Sequence, residues 1–492
     1  MSLEQYFSSF RNNIVGINNK IYLPDIREEK PLLYADWIAS GRLYEPIEKH
    51  MLETVGPYVA NTHTETTLTG TAMTQAYHSA RETIKSHVHA NEQDCLFLAG
   101  YGMTTAVNKL QRILGLRIPE SMKSKIPENE KPVVFVTHME HHSNQITWAE
   151  CSVDIIIVPP DYKTGLPDLR ELEKMASKYS SRPLMIGAFT AGSNVTGITT
   201  PYHEMAKIMH HHGGKCFVDF AASAPYVKID MHPEDNDAQL DAILFSPHKF
   251  LGGPGSSGVL IMNRSLYHNA VPDSPGGGTV QWTNPFGSHL YIDDIEIRED
   301  GGTPGFLQAI RIALTLKVKE AMGVENIKAR EEELLNILFS ELEDVKDIFI
   351  LEKLMRNRLG ILSFFTKGIH HNLIVRLLND RYGIQTRGGC SCAGTYGHIL
   401  FHINKTSSSK IQSMITGGDL TDKPGWVRIS VHPTMTDDEV RYIGQAVKEI
   451  CIHADEWGKQ YAFDKNSGDF NRISGSGPEI PDIIGSFQAT SV

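Results

Sequence analysis

At 492 residues, with 41% hydrophobic content, the chain is long enough for two or three ordinary domains and supplies a full core. Its formal charge of -11, from 58 acidic against 47 basic residues, comes without a basic run dense enough to track a phosphate backbone, which sets nucleic acid aside as a partner. No apolar stretch reaches the roughly eighteen residues of a membrane span, and Met1-Ser2-Leu3-Glu4-Gln5 lacks the basic segment and apolar core of a secretory signal. The expectation is a soluble, cytoplasmic protein with no membrane partner.

Residues 1-30 read as an N-terminal segment ahead of a large domain over 31-310. From about 90 to 265, short β-rich runs alternate with helical stretches: Val133 to Val136, Ile155 to Val158, Leu184 to Phe189, Phe217-Val218, Ala242 to Phe245 and Val259 to Met262. This alternation predicts an α/β fold with a mostly parallel sheet. Around Gly115 to Lys131 a polar, proline-bearing insertion reads as a surface loop. The run His210-His211-His212 before Gly213-Gly214 reads as a helix C-terminus, where positive charge is favourable.

Gly305 to Met322 reads as a long apolar helix leading into a smaller domain over 311-460, built on Gly360 to Thr366, a helix near Leu373 to Tyr382, and Trp426 to Val431. Its last helix has a marked start, since Thr436 and Glu439 form a capping box and Asp437 and Asp438 load the positive end of the helix dipole. The tail over 461-492, with Ser474-Gly475-Ser476-Gly477-Pro478, lacks periodicity and is expected to be extended or mobile. Of six cysteines, Cys95, Cys151, Cys216 and Cys451 sit in apolar surroundings as small core residues; only Cys390 and Cys392 are placed for chemistry. No metal is assigned, because these two thiols alone cannot complete a tetrahedral site.

The chemistry is written at strand ends. Ser246-Pro247-His248-Lys249 follows the apolar run Ala242 to Phe245 and precedes Gly252-Gly253-Pro254-Gly255, so a lysine is presented at a strand end beside a glycine-rich turn. A lysine amine in a dry pocket can form a Schiff base with an aldehyde, and pyridoxal phosphate is the aldehyde that proteins commonly use in this way. Cys216-Phe217-Val218-Asp219 ends a second strand in a carboxylate suited to the pyridinium nitrogen. Gly102 to Asn108 follows a strand and opens a helix, whose free N–H groups and Thr104 hydroxyl can hold a phosphate. His141 and Asn194 fall at strand ends on the same edge, where ligands gather in open α/β sheets.

Taken together, Gly102-Met103-Thr104, Glu140-His141-His142-Ser143-Asn144, Ser193-Asn194-Val195-Thr196-Gly197, Asp219, Ser246 to Lys249 and Arg387-Gly388-Gly389-Cys390-Ser391-Cys392 resemble the class V aminotransferase family of fold-type I pyridoxal phosphate enzymes, most closely the cysteine desulfurases and selenocysteine lyases. The resemblance covers about residues 30 to 455. It implies a large domain with a seven-stranded, mostly parallel sheet between helices and a smaller α+β C-terminal domain.

The resemblance also implies roles. Gly102, Met103, Thr104, Ser246 and His248 would hold the cofactor phosphate, with Thr303 of Gly301-Gly302-Thr303-Pro304 closing the cup of a partner subunit in a homodimer with shared active sites. His141 would stack on the ring and shuttle protons, a task suited to a pKa near neutrality, while Asn194 would lie beside the phenolic oxygen. Arg428 would grip the substrate carboxylate with its fork; Arg387 is a second candidate that could instead order the cysteine loop. His142 has no such match and reads as structural. Cys392 aligns with the persulfide-forming cysteine, on a loop where a thiolate could swing to the substrate sulfur.

The implied activity is release of alanine from cysteine or selenocysteine, with sulfur leaving through a persulfide toward a sulfur-acceptor protein. Three departures mark the chain: Ala222 replaces a customary glutamine, the second threonine of the phosphate turn is shifted so that Met103 contributes only its backbone, and Cys390-Ser391 replace histidines before the nucleophile. The Gly-Cys-x-Cys pattern and Ala222 also resemble the aminotransferase-like part of molybdenum cofactor sulfurases. The alternative is another class V reaction on an amino acid, by an aminotransferase, an epimerase or a kynureninase-like lyase, which would need Lys249 and Asp219 but no thiol.

Overall fold

The computed structural model describes residues 1-62, 64-483 and 485. Seven strands form the central sheet: β1 (Asp94–Ala99), β2 (Val133–Thr137), β3 (Asp154–Val158), β4 (Met185–Thr190), β5 (Lys215–Asp219), β6 (Ala242–Phe245) and β7 (Gly258–Asn263), in the order β1-β7-β6-β5-β4-β2-β3. β7 runs antiparallel to β1 and β6, and the other pairs are parallel. The inner strands β2, β4 and β6 are buried along their whole length, as near-continuous apolar runs must be when both faces are covered. The edge strand β3 is only half-buried.

Side chains alternate between two cores. Val133, Phe135, Val218 and Ile243 pack on one face, with Cys216, Met205 and Ile312. Val134, Val136, Phe217 and Leu244 pack on the other, with Cys95, Cys151, Ala106 and Leu110. Three of the four cysteines read as core residues are therefore buried, and Cys451 is half-buried against a third cluster. The insertion at 115-131 is an exposed loop carrying two short helical turns.

Helices relevant to the site are α1 (Leu3–Arg11), α2 (Leu68–His87), α3 (Met103–Ile113), α4 (His142–Ala149), α5 (Phe306–Met322), α6 (Val324–Leu342), α7 (His371–Tyr382) and α8 (Asp437–Trp457). α5 leads into an antiparallel four-stranded sheet of β8 (Ile348–Ile350), β9 (Ile361–Thr366), β10 (Arg387–Gly389) and β11 (Trp426–Ser430), ordered β8-β9-β11-β10. The Thr436/Glu439 capping box at the start of α8 forms as the sequence suggests.

The segment after residue 460, expected to be extended or mobile, opens instead as a hairpin: β12 (Tyr461–Asp464) pairs with β13 (Asp469–Arg472). Arg472 ties it down, donating to Asp25 at 2.7 and 2.6 Å and to Asp380 at 3.0 Å. Distant acidic partners supply what local periodicity did not reveal. Among the described residues no helix is long and apolar enough to cross a membrane.

Candidate active site

The carboxyl ends of β1, β2, β4, β5 and β6 converge on one cavity of about 440 Å³. At its floor the chain leaves β1 at Ala99 and turns through Gly100 and Gly102 into α3. A Cβ on Gly102 would lie 2.9 Å from His248 Cε1 and 3.1 Å from Ser246 Oγ, so the turn has room only for glycine. The Met103 N–H donates to Ser246 Oγ at 2.9 Å, and the Thr104 and Ser143 hydroxyls share a hydrogen bond of 2.6 Å. A helix N-terminus ringed by Thr104, Ser143, Ser246 and His248 is an anion cup. Burial, with Lys249 close by, keeps the His248 imidazole below its ordinary proton affinity.

Lys249 projects from the short helical turn after β6, and Asp219 ends β5 beside it. Burial pulls the Lys249 amine down to about 8 against the attraction of Asp219, and the charges of Arg428 and Arg387 act in the same direction as burial. Asp219 is 4% exposed and pushed up to about 6 by burial, although the Ala221 N–H donates to its Oδ1 at 2.7 Å and Lys249 favours its anion. For both partners desolvation outweighs mutual attraction.

His141 caps α4, its Nδ1 accepting the Ser143 N–H at 3.0 Å. Burial first, then Lys249, lowers it to about 3, so the ring is neutral with its proton on Nε2. The expected near-neutral pKa is not what the fold provides, because both causes are tertiary. The preceding Glu140 is fully buried and gathers the strand ends: it accepts from Thr137, Asn144 and the Thr190 N–H.

On the opposite wall Arg428, from β11, is 2% exposed. Its Nη2 donates to Asp36 Oδ1 at 2.7 Å and its Nη1 to the Asn194 carbonyl at 3.0 Å, while its Nε has no partner. Arg387 Nε donates to the other oxygen of Asp36 at 3.0 Å, leaving the rest of its half-exposed guanidinium at the cavity mouth. Asp36, unread in the sequence, thus anchors both arginines.

Cys392 lines the same cavity and is exposed, on a loop tied to its surroundings by several hydrogen bonds. The Ala393 N–H donates to the Cys390 carbonyl at 3.0 Å, closing a turn whose central residues, Ser391 and Cys392, have φ of 49° and 57°. The Asn194 amide donates to the Ser391 carbonyl at 2.7 Å, the Trp426 indole to Ser391 Oγ at 3.2 Å, and the His142 N–H to the Cys392 carbonyl at 2.7 Å. His142 Nε2 also accepts the Gly394 N–H at 2.9 Å. His142 is structural, as read, but its structural task is to hold the cysteine loop.

The cavity therefore gathers Gly102, Met103, Thr104, His141, Asn194, Asp219, Ser246, His248, Lys249, Arg387, Cys392 and Arg428. Thr303 is not among its lining; it is exposed, with its hydroxyl 3.4 Å from Asn61. Ala222 lines the wall where a glutamine was customary. Apart from the cavity, Glu173, His211 and His212 bring metal-ligand atom types within 4.8 Å of one another at two surface helices.

The aminotransferase class-V family profile matches residues 33–443, and the chain belongs to that family. Its relatives include a "Probable cysteine desulfurase" of Halalkalibacterium halodurans, 28% identical over 366 residues, which are 74% of this chain and 84% of the relative. A cysteine desulfurase of Escherichia coli is 30% identical over 264 residues, 53% of this chain and 62% of that protein. The fold matches that of a cysteine desulfurase from Thermococcus onnurineus, with a TM-score of 0.69 at 22% identity, covering 87% of this chain and 98% of that one. It also matches the Escherichia coli cysteine desulfurase CsdA, with a TM-score of 0.67 at 19% identity, covering 92% of this chain and 99% of that one. The likeness establishes a fold-type I architecture.

Proposed function

We propose that this chain is a pyridoxal-phosphate-dependent cysteine desulfurase, in which Cys392 takes sulfur from L-cysteine and alanine leaves. The observation that carries the reading is the sharing of one cavity by a buried Lys249–Asp219 pair, a buried arginine and a thiol. The residues fit the cofactor: a cup that excludes a Cβ at Gly102 suits its phosphate, and the Asp219 carboxylate suits its ring nitrogen. When bound, pyridoxal phosphate supplies an aldehyde for Lys249 and a ring that takes up electrons released at the substrate's α-carbon.

Asp219 would hold the ring nitrogen and favour its positive charge. Arg428, held by Asp36, binds the substrate carboxylate with its remaining N–H groups, and Arg387 closes over it. Lys249, with proton affinity already lowered, accepts the α-proton at its amine. His141, neutral and with its Nδ1 accepting the Ser143 N–H, would pack against the cofactor as an uncharged face. The Cys392 sulfur attacks the substrate sulfur; a new S–S bond forms as the substrate's carbon–sulfur bond breaks, the electron pair of that bond stays on the β-carbon, which takes a proton as alanine forms, and a persulfide remains on Cys392.

We further propose a homodimer in which Thr303 completes the partner's cup, supported by its exposure and its absence from its own cavity's lining. The boundaries 31-310 and 311-460 for the two domains, a selenocysteine-lyase activity and a cytoplasmic location belong to the same reading. A single turnover of holoenzyme with L-cysteine tests it. Alanine together with a persulfide mapped to Cys392 is expected. Neither product, with the cofactor absorbance still responding to other amino acids, would move the assignment to transamination, epimerisation or carbon–carbon cleavage.

A further inference from the structure

The three histidines at 210-212 do not share one task. His210 is already engaged: its Nδ1 lies 2.7 Å from the Asp237 carbonyl and its Nε2 2.7 Å from Asp241 Oδ2, and these bonds fix the C-terminal end of the helix Tyr202–His211. His212 turns toward the helix Leu169–Tyr179, where its Nε2 lies 2.7 Å from Glu173 Oε1. His211 is exposed and, among the described residues, has no hydrogen-bond partner; its ring stands edge-on to that of His212, with centroids 5.0 Å apart.

Two imidazole nitrogens and one carboxylate oxygen thus lie within 4.8 Å of one another. Nitrogen and oxygen ligands from three residues, with water as the fourth, are the donor set of an open divalent zinc site. Three features favour an ion over a plain ion pair. Lys174 binds Glu171, Lys207 binds Glu204 and Lys215 binds Asp241, and among the described residues no lysine or arginine pairs with Glu173. Both histidines sit at a helix C-terminus, where unpaired carbonyls and the macrodipole favour positive charge. The two helices are also fixed relative to one another, because Leu172 of one and Met205 and Met209 of the other pack into the same core on one face of the main sheet.

We propose that Glu173, His211 and His212 form a surface site for a divalent cation of the zinc type, which cross-links these two helices. With zinc about 2.0–2.1 Å from each ligand atom, the ligand atoms of a tetrahedral site stand about 3.3 Å apart, so the His212–Glu173 pair opens by about 0.6 Å. The ion takes the place of the hydrogen between them, which leaves to solvent as a proton. The chain after His212 enters β5 at Lys215, the opposite end of that strand from Asp219. The site is therefore outside the cavity, and the inference stands independently of the desulfurase reading.

The test is equilibrium dialysis of the holoenzyme against zinc chloride, with accessible thiols first alkylated so that Cys390 and Cys392 take no metal, and bound zinc counted by atomic absorption. One zinc per chain is expected, with thermal melts that shift upward as zinc concentration rises. His211→Ala, His212→Ala and Glu173→Gln should each weaken binding at least about tenfold, the loss that even an outer-shell partner of a metal ligand brings. No bound zinc, or the same zinc content and melting shift in all three variants as in the wild type, would overturn the site. So would a Glu173→Gln variant that melts lower without zinc while zinc leaves the wild-type melt unmoved, since that is the behaviour of an ion pair alone. If either variant of the His212–Glu173 pair misfolds, His211→Ala decides, because its side chain is exposed and makes no hydrogen bond among the described residues.

Discussion

Asp36 accepts from Arg428 at 2.7 Å through one carboxylate oxygen and from Arg387 at 3.0 Å through the other, so one anion fixes the direction of both arginines that line the cavity. Two consequences oppose each other: the anion orients the guanidinium groups, and it offsets part of the positive field that draws in a carboxylate. Arg428 is almost wholly buried, and leaving such a charge without its partner is costly, which favours orientation as the larger effect.

Asp36→Asn should therefore raise KM for L-cysteine by about tenfold, equivalent to ~1.4 kcal/mol, with a smaller change in kcat. Steady-state kinetics would check it. A KM that falls would mean that Asp36 acts chiefly as a screening charge.

Lys249 gives a pH prediction. With its amine pulled down to about 8 in protein stripped of cofactor, the reactive neutral form grows as pH rises and saturates above that value. Recombination with pyridoxal phosphate, followed by absorbance, should speed about tenfold per unit below pH 8 and level off above it. A lysine at its ordinary value would keep gaining until about pH 10.4. The same shift makes folding weaker below about 8, where the buried amine must carry charge, so Lys249→Met should stabilise the stripped protein at pH 7 and lose that advantage as pH rises toward 10.5.

Glu331, on α6, is buried with one oxygen unpartnered, and burial pushes it up to about 8 although the Gly360 N–H favours its anion. Its folded value exceeds its unfolded one, so stability is lost as pH rises from about 4.5 to 8. Glu331→Gln should raise Tm at pH 8.5 and have little effect at pH 4.5. Thermal melts at the two values decide it.

Gly102→Ala forces a Cβ to within 2.9 Å of His248. Strain of about 1–3 kcal/mol is expected, together with at least tenfold weaker cofactor retention on dialysis. Unchanged retention would remove Gly102 from the cup.

His142→Ala removes the acceptor of the Gly394 N–H and should cost roughly 1–2 kcal/mol. Hydrogen exchange should accelerate over residues 390-396 and leave β2 unaffected. Uniform acceleration would show that His142 supports the whole fold rather than the loop.

Much of this was legible because the chemistry follows apolar runs. Lys249, Asp219, His141 and Asn194 each come just after a strand that reads as buried, and the cup glycine precedes an evident helix. Asp36 was invisible for the opposite reason: it lies between Ala35 and Trp37 in a segment without strong periodicity, and its partners are far along the chain. The cysteine loop looked free in sequence, since the donors that pin it come from Asn194, His142 and Trp426, which only the fold brings together. Proton affinities were equally beyond reach, because burial is the leading cause at Lys249, Asp219 and His141 alike.

The chain order of these parts carries a consequence for synthesis. All seven strands of the main sheet, with the lysine, the aspartate and the anion cup, have left the ribosome soon after Asn263, whereas Asp36 must wait for Arg387 and Arg428, which lie more than a hundred residues later. Since N-terminal units generally fold first, the nascent protein acquires the elements that hold an aldehyde before those that recognise an amino acid. A ribosome stalled between residues 263 and 387 would display a half-made catalyst, already equipped with its reactive amine and not yet selective about what it meets.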